Sequence, residues 1–337
     1  MTSRWLDVAR FPGRAHLAAI ARDHRPTAGF TDLRAAALEA LQARWATALG
    51  ASPDDLLLFA SAQEAARLAC SALMAPGDLA LLARPATALW PAAVLATGAA
   101  FVDLGRLADG RLDPAGVAFA AEAHAGALWL LDQPSLTGHD DLATWSAALD
   151  EAPRPPSPAR ALLDVTDAPG HGASAATLAP VDVRAELLAS LHALRDPLEP
   201  AWPLLFALRV QPGEGRALAA LRGPATLPMP LVERASLVWQ RADMAADAHA
   251  AIRISAVRAE VAARAERWPG AAVVGTSGWR IAVRCDGGDA EALAAELQAS
   301  GLPAMGHGRH PMRSLVVVDL GVALQLGRDR FGAAGGA

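Results

Sequence analysis

The chain contains no lysine; all 30 of its basic residues are arginine. That absence removes every side-chain primary amine, and with it any catalysis that runs through a lysine Schiff base. A homo-oligomer repeats the same sequence in each subunit, so a neighbouring copy cannot supply the amine. Cysteine is scarce: Cys70 and Cys285 lie far apart, each in an apolar run, which reads as two buried small hydrophobes rather than a disulfide or ligand pair. They point to a reducing compartment at most. Long blocks of one charge are lacking too. With 30 basic and 35 acidic residues the net charge is −5, which leaves no electrostatic footprint for nucleic acid or an anionic membrane. The N-terminus, MTSRWLDVARFPGR, has charges in its first ten residues and no uninterrupted apolar stretch, so neither signal peptide nor anchor is expected there. A cytoplasmic protein is the expectation.

What is present is apolar and regular. Across 337 residues, 53% are hydrophobic and 19% charged, enough for one large core or two domains in a soluble globular chain. Residues 31–49 carry apolar positions at helical spacing after a Thr31/Asp32 cap, and Gly50 closes the segment, which predicts a helix. LLLFA (56–60), a helix from Ser61 to Met74, the turn Ala75-Pro76-Gly77-Asp78 and LALLA (79–83) follow. Strand, helix, turn and strand in that order make a βαβ unit. The alternation repeats through 91–97, 99–104, 114–123, 127–132, 140–149 and 161–165, and strands this apolar belong to a mostly parallel sheet covered on both faces.

Residues 151–159, EAPRPPSPA, read as a connector. After 186–191 the pattern weakens, with LLFALRV (204–210) a strand candidate and three prolines between Arg222 and Pro230. A long Ala/Arg-rich helical stretch over 231–267 precedes strands AAVVG, WRIAVRC and SLVVVDL, with the helix DAEALAAELQAS among them. The domain plan expected is an arm (1–30), a large domain (31–230), a small C-terminal α/β domain (231–330) and a frayed tail (331–337).

The order of these elements and several local motifs resemble the fold-type I, pyridoxal-phosphate (PLP)-dependent aminotransferases, in particular the histidinol-phosphate aminotransferase and threonine-phosphate decarboxylase branch. The stretch DDLLLFASAQEAARLACSALMAPGDLALLARPAT is similar to that family's strand, loop-helix, "PGD" turn and "P-T-Y" loop. QPSLTG (133–138) looks like a worn "NPTG", ASLHALRD (189–196) falls where "SxSK" is expected, and MRSLVVVDLG is similar to the strand that carries a substrate-carboxylate arginine. The resemblance spans about residues 31 to 325 and implies an α/β fold: a mostly parallel sheet in a large domain beside a small C-terminal domain.

Each implied role meets its own residues. Ser61, Ala62 and Gln63 stand at the helix N-terminus where the family holds the cofactor phosphate; the plain reading of Ser61 is an N-cap. Asp164 ends a strand where the family's pyridine-nitrogen partner sits. Ser135 replaces the "NPTG" asparagine. Counting from Ser190, Ala193 falls at the lysine position, and a slip of one puts His192 there. Alanine is inert; histidine forms no aldimine but can act as a base with free pyridoxamine phosphate, as in a few family members. The family tyrosine is Thr87 or Ala88, in a chain without tyrosine, and Trp90 lies a helical turn away. The phosphate arginine would fall near Leu204 and Leu205. Arg313 is the exception to these losses, at the position that binds a substrate carboxylate. His307 and His310 in GHGRHP have metal-like spacing but no second ligand cluster in sequence, and read as a surface loop.

Three functions stay open on this evidence. One is a pseudoenzyme that binds a small, carboxylate-bearing ligand or a protein partner, as a homodimer or as a heterodimer with a relative. The hydrophobic segments near 79–100 and 201–210 suggest such an interface. The second is an enzyme holding PLP or pyridoxamine phosphate noncovalently, with His192 as base. The third uses no cofactor and draws its acid and base from His171, His192, Asp164 or Asp167.

Overall fold

The computed structural model describes residues 30–326 apart from 85, 88, 108, 134, 138, 152–157, 168–184, 197–198, 223–226, 242–243, 277, 287–289 and 308–313. All of the expected arm but Phe30, the expected tail, His171, His310 and Arg313 therefore lie outside the described residues, as does the side chain of His307.

Helix α1 (Phe30–Ala48) leads through a 3-10 turn into β1 (Leu56–Phe59) and α2 (Ala62–Leu73). Ser61 caps α2 by accepting a hydrogen bond from the Gln63 N–H at 3.2 Å, and Ala65, Ala66, Ala69 and Cys70 form its buried side. The turn after α2 needs Gly77, whose φ of +89° suits no residue with a Cβ. Asp78 steadies it by accepting from the Ala75 N–H. Then come β2 (Leu79–Ala83), α3 (Leu89–Ala96), β3 (Ala100–Leu104), α4 (Pro114–Ala123), β4 (Leu128–Asp132), α5 (Asp141–Glu151) and β5 (Ala159–Asp164). The chain continues into a long hairpin, β6 (Ala185–Asp196) and β7 (Glu199–Val210), and α6 (Gly215–Arg222). Only glycine at 215 lets α6 start against the 3-10 turn, because a Cβ there would meet the Asp54 carbonyl oxygen.

These seven strands form one sheet in the order β1-β7-β6-β5-β4-β2-β3, with β7 antiparallel to both neighbours and the other pairs parallel. The mostly parallel sheet expected from the βα alternation is what the chain builds. Alternation along each strand sorts the side chains onto two faces. Leu82, Leu130, Leu162 and Leu191 pack under α2 and α3. Leu81, Leu131, Ala161 and Leu163 pack on the other face under α4 and α5, and the Leu56, Leu58 and Leu194 side of that face lies under α1. Both cysteines are buried and neither is in a disulfide, and burial pushes the Cys70 thiol up to about 12.

Helices α7 (Met229–Arg241) and α8 (Met244–Ala265) precede a second sheet of β8 (Ala271–Gly275), β9 (Arg280–Cys285), β10 (Ala304–His307) and β11 (Leu315–Asp319), with α9 (Ala290–Ala299) between β9 and β10 and α10 (Leu320–Leu326) after β11. This sheet is antiparallel throughout, in the order β10-β11-β9-β8. Val232, Ala235 and Val238 of α7 pack into the core beneath the first sheet. Of the apolar segments expected at an oligomer interface, Leu81, Leu82, Trp90, Val94, Leu204, Leu205 and Leu208 are buried within the chain, while Leu95 is 59% exposed. Among the described residues no helix is long and apolar enough to cross a membrane.

Candidate functional site

Parallel strands leave their carboxyl ends at one edge of a sheet, where an α/β fold ordinarily places ligands. Two strands here end on the same signal, Leu-Leu-Asp: β4 at Asp132 and β5 at Asp164. The two aspartates are register partners, and alternation puts both on the α2/α3 face.

Asp164 is buried and fully engaged. Its Oδ1 accepts from the backbone N–H of Thr166 at 3.0 Å and from the Thr166 hydroxyl at 2.7 Å; its Oδ2 accepts from the indole Nε1–H of Trp90 at 3.0 Å. Burial raises its pKa, and the Thr166 and Trp90 donors pull the other way. Trp90, near the start of α3, is fully buried. The indole thus takes one acceptor site of Oδ2. Replacing Trp90 with phenylalanine should cost about 1–3 kcal/mol by leaving that oxygen without a donor. Urea denaturation reads this directly, and an unchanged midpoint would rule the bond out.

The expected base sits elsewhere. Leu191 pairs with Asp164 and packs on its face, so Ser190 and His192 project to the opposite face. There Ser190 Oγ and His192 Nε2 bond to each other at 2.9 Å, and burial, then the Arg209 charge, lowers the His192 pKa to about 3. The strand keeps pairing with β7 through Ala193, so the motif aligned with "SxSK" is strand interior, and the sheet separates His192 from Asp164. Ala193 is the one of the two candidates that shares the Asp164 face. This alternation puts the His192 and Ser190 side chains on the face away from Asp164.

Ser135 is likewise turned into its own loop: its Oγ bonds Thr137 Oγ1 at 2.8 Å and accepts from the His139 N–H at 3.1 Å, while Thr137 donates to the Gly110 carbonyl. Leu204 and Leu205 are core residues. The N-terminus of α2 keeps Ala62 and Gln63 in its first turn behind the Ser61 cap. The guanidinium of Arg222 lies near that turn, 4.2 Å from the Phe59 ring centroid and 3.8 Å from Glu64, and sequence reading gave no hint of it.

Other charges at this edge were also missed, because their partners are distant in sequence. Arg106 and Asp141 form a bidentate ion pair at 2.8 and 2.6 Å with both side chains fully buried. Arg106 donates further to the carbonyls of Arg84, Gly110 and Ala83. Asp167 bridges Arg195 of β6 at 3.0 Å and Arg280 of β9 at 2.7 Å, tying the two sheets together. The Trp279 N–H donates to the Asp167 carbonyl, and the Arg195 guanidinium lies 5.8 Å from the Trp279 ring centroid. Burial raises the pKa of Asp319, at the end of β11, against the pull of Arg280 and Arg195. Among the described residues no group of three His, Cys, Asp or Glu side chains could hold a metal ion.

No protein-family model matches the chain, and no curated protein matches it in sequence. Solved structures do match in shape. Histidinol-phosphate aminotransferase from Sinorhizobium meliloti in complex with pyridoxal-5'-phosphate is 16% identical at a TM-score of 0.63, covering 85% of this chain and 78% of that one. Aspartate aminotransferase from Thermotoga maritima is 13% identical at 0.65, covering 87% and 82%. Aspartate aminotransferase from Thermus thermophilus with maleate is 15% identical at 0.62, covering 88% and 81%. The shared architecture extends over most of each chain, and this protein has the fold of the fold-type I, PLP-dependent aminotransferases.

Proposed function

We propose that this chain is a pseudoenzyme of the aminotransferase fold, which does not transaminate and uses its cleft for a small ligand or its surface for a protein partner. One observation carries the reading: in a chain without lysine, Trp90 occupies the Oδ2 of Asp164. PLP, where a protein binds it, supplies an aldehyde for amine capture and a protonated ring that withdraws electrons. These residues do not fit that group. No side chain can capture the aldehyde, the carboxylate for the ring nitrogen already holds three donors, and Ser135 faces its own loop. Among the described residues, the backbone N–H groups at the start of α2, with Arg222 near them, retain the character of an anion site.

The rival in which His192 serves as base has less support, since that ring lies across the sheet from Asp164 and its pKa, lowered by burial to about 3, makes it a weak base. Association as a homodimer or as a heterodimer with a related subunit, in the cytoplasm, belongs to the proposal. So does a carboxylate contact at Arg313. The test is chemical. Borohydride reduction in the presence of PLP should leave no pyridoxyl group on the chain beyond its N-terminal amine, and the purified protein should show no turnover with paired amino and keto acids. An adduct within the cleft, or sustained turnover by pure protein, would overturn the pseudoenzyme reading.

A further inference from the structure

The two edges of the seven-stranded sheet differ. At one end all four residues of β1 are buried, and the Gln42 side chain donates to the Leu56 carbonyl at 2.7 Å. At the other end β3 lies open, and among the described residues no strand pairs with its outer side. Ala100, Val102 and Asp103 are exposed, Phe101 is half-buried, and of the five residues only Leu104 is buried. The strand has no proline and pairs with β2 without a bulge, so it lacks the usual devices that keep an exposed edge from pairing. Its single charge, Asp103, is matched by Arg84 at 2.7 Å, and that guanidinium lies 5.0 Å from the Phe101 ring centroid.

An open edge offers backbone N–H and C=O groups, and their direction sets the register of any strand that joins it. Along a strand these groups turn to alternate sides, residue by residue. The Ala100 N–H donates inward to the Asp78 carbonyl, so Ala100, Val102 and Leu104 turn theirs to β2 while Phe101 and Asp103 turn theirs outward. Beyond them the edge closes, because the Gly105 carbonyl accepts from the Asp113 N–H at 3.1 Å. The free stretch is therefore two outward residues with Val102 midway between them.

That spacing is its own complement. When two such strands meet antiparallel about a two-fold axis at Val102, Phe101 of each faces Asp103 of the other as a pair that exchanges both N–H···O bonds. The bonds so formed use every outward N–H and C=O of both strands. Val102 meets its own copy in the close, non-hydrogen-bonded position, on the face that also carries Leu104. On the other face each Asp103 brings its own Arg84, so no uncompensated like charges are brought together. A two-fold pair also closes on itself, since the far edge at β1 is covered. We propose that two copies of this chain join through β3, antiparallel about Val102, and so continue one sheet across the dimer. This gives a surface to the homodimer named above and does not depend on the absence of catalysis.

Light scattering of the full chain from about 5 to about 500 μM checks the assembly, because an interface this short is weak. The parent should pass from monomer to dimer across that range. Asp103→Pro removes an outward N–H and no bond to β2, so it should keep the far-UV circular dichroism of the parent and weaken dimerisation by about tenfold or more. Val102→Cys tests the register. Two Cβ atoms in such a pair lie about 4.5–5.5 Å apart, within a small shift of disulfide geometry, so mild oxidation should give a covalent dimer. Asp103→Cys, placed opposite Phe101 rather than its own copy, should cross-link far less, and the buried Cys70 and Cys285 should leave the parent unlinked. A parent that stays monomeric at the highest concentration, a dimer unchanged in Asp103→Pro, or a Val102→Cys chain that cross-links no faster than Asp103→Cys would each overturn the assignment. An inactive monomer would end this inference and leave the pseudoenzyme reading standing; a β3-linked dimer that transaminates would do the reverse.

Discussion

Replacing Asp141 with alanine should lower stability by about 3–5 kcal/mol, enough to unfold much of a marginally stable protein. Both side chains of the Arg106–Asp141 pair are fully buried, at 2.6 and 2.8 Å, and removing the acid leaves a guanidinium without its counter-ion in a low-dielectric interior. The damage should reach the site, because Arg106 also holds the carbonyls of Ala83 and Arg84 at the end of β2 and that of Gly110. A double replacement of Arg106 and Asp141 by leucine should cost less than the single change, since no uncompensated charge remains. Urea denaturation of the three proteins checks both statements. A loss below about 1 kcal/mol for Asp141→Ala, the scale of an exposed pair, would show that the pair is open to solvent.

The other large effect is a dependence on pH that belongs to His192. Folding lowers its pKa from 6.5 to about 3. Between those values the unfolded chain binds a proton that the folded chain refuses, so stability falls as the pH falls through that window and is fully present above it. At about 1.4 kcal/mol per unit, the contribution lost on reaching pH 3 is about 4–5 kcal/mol. Asp132, Asp164 and Asp319 act in the opposite sense, because their pKa values are raised in the fold and they keep protons that the unfolded chain has released. The His192 contribution is therefore read as a difference. Stability of the parent minus that of a His192→Gln variant should be flat above pH 7 and decline steadily below pH 6.5. A difference that stays level down to pH 4 would mean the ring is solvated and titrates normally.

Sequence alone determined which chemistry is closed to this protein and which architecture it takes. The missing lysine is a matter of composition and needs no coordinates. The alternation of apolar runs with helical segments around Ser61, Gly77 and Pro114 specified a parallel α/β sheet, because caps, turns and periodicity are local properties. The strand-end aspartate at 164 was legible for the same reason, and Asp132 bears the identical Leu-Leu-Asp signal. Which face each residue serves was not legible. His192 and Ala193 are neighbours in the chain, yet β6 sends them to opposite sides of the sheet, so a count from Ser190 could not say which one meets Asp164. Nor could sequence bring Trp90 to Asp164, Arg106 to Asp141, or Arg280 of β9 to Asp167. Those contacts join residues brought together only when the helices pack on the sheet and the second sheet docks on the first. Tertiary structure decided them because a long-range ion pair or hydrogen bond depends on where two strands end in space, and pattern along the chain carries no record of that.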